Sequence, residues 1–438
     1  MGIFIRGATH LKTMYKASDS GREDRVTLSS TKGKVICAIA FLLLTTTAFV
    51  TLPSTEDVDA GSTCGDLWWD LDGDTLVISG QGAMDDRTDG KYPWYFNHTP
   101  SYINHIKLNE GIVSLGTECF KNLNITGDIV IPKSMETIGK RAFQGTGITG
   151  LIFAEESNME SIGEEAFAGC SHLETFNLPE GLLSIGYHAF IDCTELTDSL
   201  RLPSTLKSIG IEAFKNCSKM TGSIEIPNGV SSLMGCFEGC SSLTGNIKLS
   251  SNLVLLGNAT FKDCSGLTGT VKISHPYCFG VGEDAFKGCT SITGVEIQGN
   301  VICKVYNGAF EGCTGLTSFK LMQGSSIDDG AFTGCTNMTK MTFGSKIETI
   351  NPTAFGDIEF YDEDGKKIEL TTDSVKELKG YVFEGSDGKL TRVAQTDEDI
   401  PDKEDESSGN IDIWMIATPV AFIAGVLATI LVFHIRKP

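Results

Sequence analysis

The residues in this chain most able to do chemistry are its 14 cysteines. Eight of them, Cys170, Cys193, Cys217, Cys240, Cys264, Cys289, Cys313 and Cys335, recur at intervals of 22 to 25 residues. A regular cysteine series can hold metal, form disulfides or supply small buried side chains. Zinc has little support, because no Cys-x-x-Cys pair occurs. Bridging successive members would demand narrow bond geometry at every interval. The spacing therefore favours free thiols stacked above one another, with a few disulfides left open as the alternative.

Other chemistry is thinly represented. His10, His98, His105, His172, His188, His275 and His434 are scattered, and there is no zinc-protease helix motif, nucleophile elbow or phosphate loop. The glycine-rich run at residues 145–150 falls between a repeat phenylalanine and the next strand, where turns explain it. Glu225 and Glu296 are the best carboxylate pair for sugar hydrolysis. They stand three repeats apart, about 14 Å at strand spacing, which is too far for either hydrolytic geometry. The expectation is a non-enzyme with no cofactor.

Something must position the cysteine series. Each member follows a phenylalanine by three residues, and the phenylalanines themselves run further: Phe120, Phe143, Phe167, Phe190, Phe214, Phe237, Phe261, Phe286, Phe310, Phe332 and Phe355. A period of this size marks a solenoid whose units bury their apolar sides only against one another. In the unit from Leu173 to Cys193, Phe176, Asn177 and Leu178 read as a short strand ended by Pro179. Leu182 and Ile185 follow, Gly186 makes a turn, and Ala189 and Phe190 face inward. The next unit repeats this with Leu200, Leu202, Pro203, Leu206, Ile209, Gly210, Ala213, Phe214 and Cys217. Cys119 and Cys236 take the place of the repeat alanine. One short parallel strand per coil would give an inner sheet roughly 50 Å long.

The flanks are distinct. Residues 61–101 hold Trp68, Trp69, Trp94 and the turn Asp72-Gly73-Asp74, and predict an N-terminal β cap. The array covers 102–357, and 358–396 falls out of period as a β-rich C-terminal cap. Residues 397–410 begin with the acidic run 397–406 and read as a self-repelling spacer. The apolar run 35–52, preceded by basic residues, makes 1–60 a signal peptide or an uncleaved signal anchor with a long leading region. Residues 411–438 contain a second apolar run, 413–433, long enough to span a bilayer, and a basic end that belongs on the cytoplasmic side. This predicts a single-pass protein of the cell membrane, in contact with lipid through that helix, with the repeats outside. The net charge of −21 argues against nucleic acid as a partner. Asn97, Asn124, Asn216, Asn258 and Asn337 begin Asn-x-Ser/Thr sequons.

Stretches such as Ser161–Cys170 (SIGEEAFAGC) and Ser208–Cys217 (SIGIEAFKNC), with Ile131-Pro132 and Ile226-Pro227 ending strands, resemble the BspA-type leucine-rich repeats of bacterial, archaeal and protist surface proteins. Residues 64–86 resemble the module that commonly precedes such arrays. The resemblance implies an α/β leucine-rich-repeat solenoid of about eleven coils. It also implies a cell-surface role, in some members adhesion to host proteins or other cells.

In such a stack the residue between the two strand apolars faces outward. Those residues are Lys107, Val130, Ile152, Asn177, Arg201, Glu225, Lys248, Lys272, Glu296, Lys320 and Thr342. Arg201, Lys248, Lys272 and Lys320 are the candidate ligand-binding residues, a stripe suited to an acidic glycan or an acidic extracellular protein. A solvated sheet with scattered lysines is the competing reading. An envelope protein without a specific ligand, or a receptor acting through a membrane partner, remains open beside adhesion.

Overall fold

In the computed structural model the eleven repeat phenylalanines form one fully buried column. Successive ring centroids lie 5.1 to 5.7 Å apart. The structure describes residues 63–87, 92–95 and 102–393, apart from 198, 275–277, 299–302, 323–325, 346 and 372–374. The expected export segment, acidic spacer and membrane helix lie outside the described residues. Among the described residues no helix is long and apolar enough to cross a membrane.

The chain is a parallel-sheet β-solenoid with three walls per coil. The first wall carries the expected strands. Thr126–Ile131, Gly147–Phe153 and Thr175–Phe176 pair in parallel. Gly269–Ile273, Ile292–Ile297, Ser318–Leu321 and Lys340–Phe343 do the same further on. Between these groups the wall thins to single bridges, such as Ser199 to Thr221 and Glu225 to Lys248.

The second wall was not expected. Each coil contributes a second short strand, such as Ser161–Ile162, Ser184–Ile185 and Ser208–Ile209, and these make two further six-stranded sheets. The expectation of one strand per coil is therefore corrected to two. A two-residue strand has no alternation of its own; only its partners on the neighbouring coils make it a strand.

The third wall holds the phenylalanines, and it corrects the α/β expectation. Among the described residues helix is confined to Pro93–Tyr95 and Val375–Leu378. The repeat Phe segments are turns instead. Their N–H groups run along the stack, as from Phe167 to the Ala189 carbonyl at 2.8 Å and from Phe190 to that of Ala213 at 2.8 Å. Residues in the left-handed region, including Glu165 (φ 53°), His188 (φ 53°), Asp192 (φ 61°) and Glu212 (φ 54°), interrupt any helical run. Hydrogen bonds directed to the next coil are unavailable to an i−4 ladder.

Both ends are closed. At the first, Leu67–Asp72 and Thr75–Gly80 form an antiparallel hairpin that continues in parallel into His105–Leu108. Trp94 stacks on Phe120 at 5.6 Å and on Tyr92 at 5.0 Å, and donates its indole N–H to the Cys119 carbonyl at 2.6 Å. At the other end Val382–Ser386 pairs antiparallel with Lys340–Phe343, and Phe360 and Phe383 meet edge to face at 5.2 Å. The first and last coils are thus joined to cap strands. Among the described residues the solenoid makes about nine turns, against about eleven expected.

Candidate binding face

In most coils the first wall presents one side chain to solvent, between two buried or half-buried apolars. The alternation is visible in Ile106, Lys107 and Leu108, and again in Ile224, Glu225 and Ile226. Backbone pairing sets Val130 opposite Ile152, and Glu296 between Lys272 and Lys320.

Of the four candidate binding residues, Arg201, Lys248 and Lys272 are exposed and Lys320 is half-buried. Two of the four have an acidic partner on an adjacent coil. Lys248 pairs with Glu225 and Lys272 pairs with Glu296, the latter at 3.2 Å. Arg201 and Lys320 make no ion pair among the described residues. Four cations are therefore interleaved with two carboxylates. Exposed pairs of this kind hold their partners weakly, so an incoming anion competes with Glu225 and Glu296 for the lysines rather than meeting a bare stripe.

Between Lys107 and Asn177 the row has an apolar step. Val130 is 55% exposed and Ile152 is 47% exposed, and they are direct neighbours across the sheet. Thr342, expected to face outward, is 3% exposed. It lies where the C-terminal cap strand pairs onto its own strand. Hydroxyls along this wall serve the scaffold, as Thr221 donates to the Thr197 carbonyl at 2.9 Å and Thr317 to that of Thr293 at 2.9 Å.

The cysteine column lies far from reactive chemistry. All 13 cysteines of the described part are buried and unbridged. Each of the eight series members directs its Sγ to the carbonyl oxygen of the repeat phenylalanine one coil back. The distances run from 3.0 Å for Cys240, Cys264 and Cys289 to 3.3 Å for Cys193. Burial pushes the thiol of Cys170 up to about 11 and that of Cys335 up to about 12, so neither is a nucleophile at neutral pH. Among the described residues no three His, Cys, Asp or Glu side chains gather to hold a metal.

These features define a class: a leucine-rich-repeat solenoid built from turns and short strands. The model of the BspA type leucine rich repeat region matches six copies across residues 94–221, 197–301 and 268–389. The chain belongs to that family. A solved leucine-rich repeat protein from Eubacterium ventriosum is 18% identical, covering 79% of this chain and 96% of its own, with a TM-score of 0.45. One from Bacteroides ovatus is 20% identical over 69% and 94%, with a TM-score of 0.32. A leucine rich cell surface protein from Faecalibacterium prausnitzii is 18% identical over 66% and 94%, with a TM-score of 0.27. No curated protein matches the chain significantly.

Proposed function

We propose that this is a cell-surface binding or adhesion protein, whose solenoid contacts proteins or acidic glycans of a host or neighbouring cell. One observation carries the reading. The buried column is phenylalanine in every coil, while the row above the first wall changes from Lys through Val, Ile and Asn to Arg and then to interleaved Glu and Lys. A scaffold that repeats inside and varies outside presents a composite surface rather than a uniform coat. Membrane anchoring through 411–438 and export through 1–60 belong to the same proposal and follow from the sequence.

The test uses the full chain on arrays of sulfated and sialylated glycans and matrix proteins at two salt concentrations. Saturable binding that weakens with salt supports the reading. Binding that the fourfold change of Arg201, Lys248, Lys272 and Lys320 to Glu leaves intact removes those residues from it. Protease added to intact cells should cleave the solenoid from the surface; an untouched solenoid would sink the placement outside.

The Lys248–Glu225 and Lys272–Glu296 pairs favour a second reading. A row that pairs off half of its candidate cations suits an envelope protein without a specific ligand. Such a protein would be abundant and would saturate on no class of surface.

A further inference from the structure

Two cysteines outside the eight-member series face each other. Cys278 and Cys303 precede the short strands Gly280–Val281 and Lys304–Val305, which pair in parallel with Gly280 opposite Lys304. The two thiols therefore lie on neighbouring coils with a stagger of one residue. At strand spacing that places their Cα atoms about 6 Å apart, inside the range a disulfide accepts. Their sulfurs are 3.8 Å apart. The nearest carbonyl contact of Cys278 is a long one, 3.7 Å to Gly280. This differs from the series cysteines, whose sulfurs each reach a phenylalanine carbonyl at 3.3 Å or less.

Their electrostatics also differ. The hydrogen bond that the Cys303 thiol donates to Cys278 holds the Cys278 thiol below its ordinary value and pushes the Cys303 thiol well above it, whereas burial pushes series cysteines such as Cys289 up. Cys278 is 3% exposed, but the adjacent Phe279 is 39% exposed, so the thiol lies just beneath the surface. Among the described residues no third ligand stands beside them, and two thiols alone do not make a metal site.

We infer that Cys278 and Cys303 form a redox-active dithiol that closes to a disulfide between adjacent coils by exchange with a low-molecular-weight disulfide. The Cys278 thiolate attacks one sulfur of glutathione disulfide, forming a mixed disulfide and releasing one glutathione thiolate. The Cys303 thiol then loses its proton to water, and its thiolate attacks the Cys278 sulfur and expels the second glutathione. Two protein thiols are oxidised and one glutathione disulfide is reduced to two glutathione thiols. The bond would tie two coils together where their second-wall ladder is only two residues long. No binding partner is needed for this chemistry.

The test incubates the reduced full chain with glutathione disulfide, alkylates remaining thiols after denaturation and maps the peptides by mass spectrometry. The expected result is one linked peptide joining Cys278 to Cys303. Alkylation of these two should fall at least tenfold relative to Cys240, and a reductant should restore it. Cys303→Ser should halt the exchange at a single glutathione on Cys278, while the unaltered chain supplies the result independently of how that variant folds. Full alkylation of both cysteines, or links scattered among the series cysteines, would overturn the assignment.

Discussion

The Cys240 thiol donates to the carbonyl oxygen of Phe214, one coil back, at 3.0 Å. The same carbonyl accepts the N–H of Cys217 within its own coil at 3.2 Å. The cysteine therefore does more than fill a tight turn: it occupies the second lone pair of a buried carbonyl. Cys240→Ala should cost about 1–2 kcal/mol from the lost bond and the small cavity. Cys240→Val fills the space but cannot donate, and should cost about 1–3 kcal/mol. Urea unfolding checks both. A valine variant as stable as the parent would show that the carbonyl does not need the thiol.

Phe214 has rings above and below it, Phe190 at 5.3 Å and Phe237 at 5.7 Å, and Phe176 at 6.3 Å to the side. Phe214→Ala removes contact with two coils at once and should cost about 3–5 kcal/mol. Nearest-neighbour coupling makes this a mid-array break, so unfolding should also become less cooperative. An unmoved midpoint would reject the stacked core.

This column was the most legible part of the sequence, because one ring per 22 to 25 residues cannot arise from helical or strand periodicity. The Ser184–Ile185 wall was not legible, since its partners are a whole coil away in sequence. Nor was the absence of helix around Phe190, which depends on left-handed His188 and Asp192, residue types a helix also tolerates. At the face, Lys248 and Lys272 could be placed outward by alternation alone. Their partners Glu225 and Glu296 were in the same row, but a pairing across coils emerges only once the coils are in register.

Two glycines of neighbouring position serve different needs. A Cβ on Gly163 would lie 2.7 Å from the Ile138 carbonyl oxygen and 2.8 Å from the Gly139 carbonyl carbon, so backbone of the previous coil excludes it. Gly169 has open space around it but a φ of +70°. Gly163→Ala should cost about 1–3 kcal/mol as overpacking, and Gly169→Ala about 1–2 kcal/mol as left-handed strain. Gly169→Asn should recover part of the loss, since Asn tolerates that region; Gly163→Asn should recover nothing. Thermal unfolding of the four variants separates the two causes.

Arg141 donates to both oxygens of Glu165 at 2.9 Å and reaches Glu118 at 3.3 Å. These bonds hold the Glu165 carboxyl below its ordinary value. A carboxyl depressed on folding contributes stability that is complete above the unfolded value, about 4.3, and is lost as pH falls through the lower folded value. Arg141→Gln should cost about 2 kcal/mol at neutral pH. Its deficit should shrink as pH falls from about 4.3 toward that lower folded value, where Glu165 gains a proton in the parent as well. A deficit independent of pH would assign the loss to packing of the arginine stem.

The exposed row gives the sharpest binding prediction, because its lysines are already engaged. Glu225→Gln and Glu296→Gln together release Lys248 and Lys272 and change the row's charge by two units without touching a cation. If the row meets an anionic partner, this double variant should bind a sulfated glycan more tightly than the parent, by about tenfold at low salt, and lose the gain at high salt. Changing Lys248 and Lys272 to Glu should do the opposite. Both exposed pairs contribute little to folding, so the thermal midpoints should stay within about 1 °C of the parent. Surface plasmon resonance at two salt concentrations reads the result. Equal binding by both variants would move recognition away from these lysines, toward Val130 and Ile152 or another face of the solenoid.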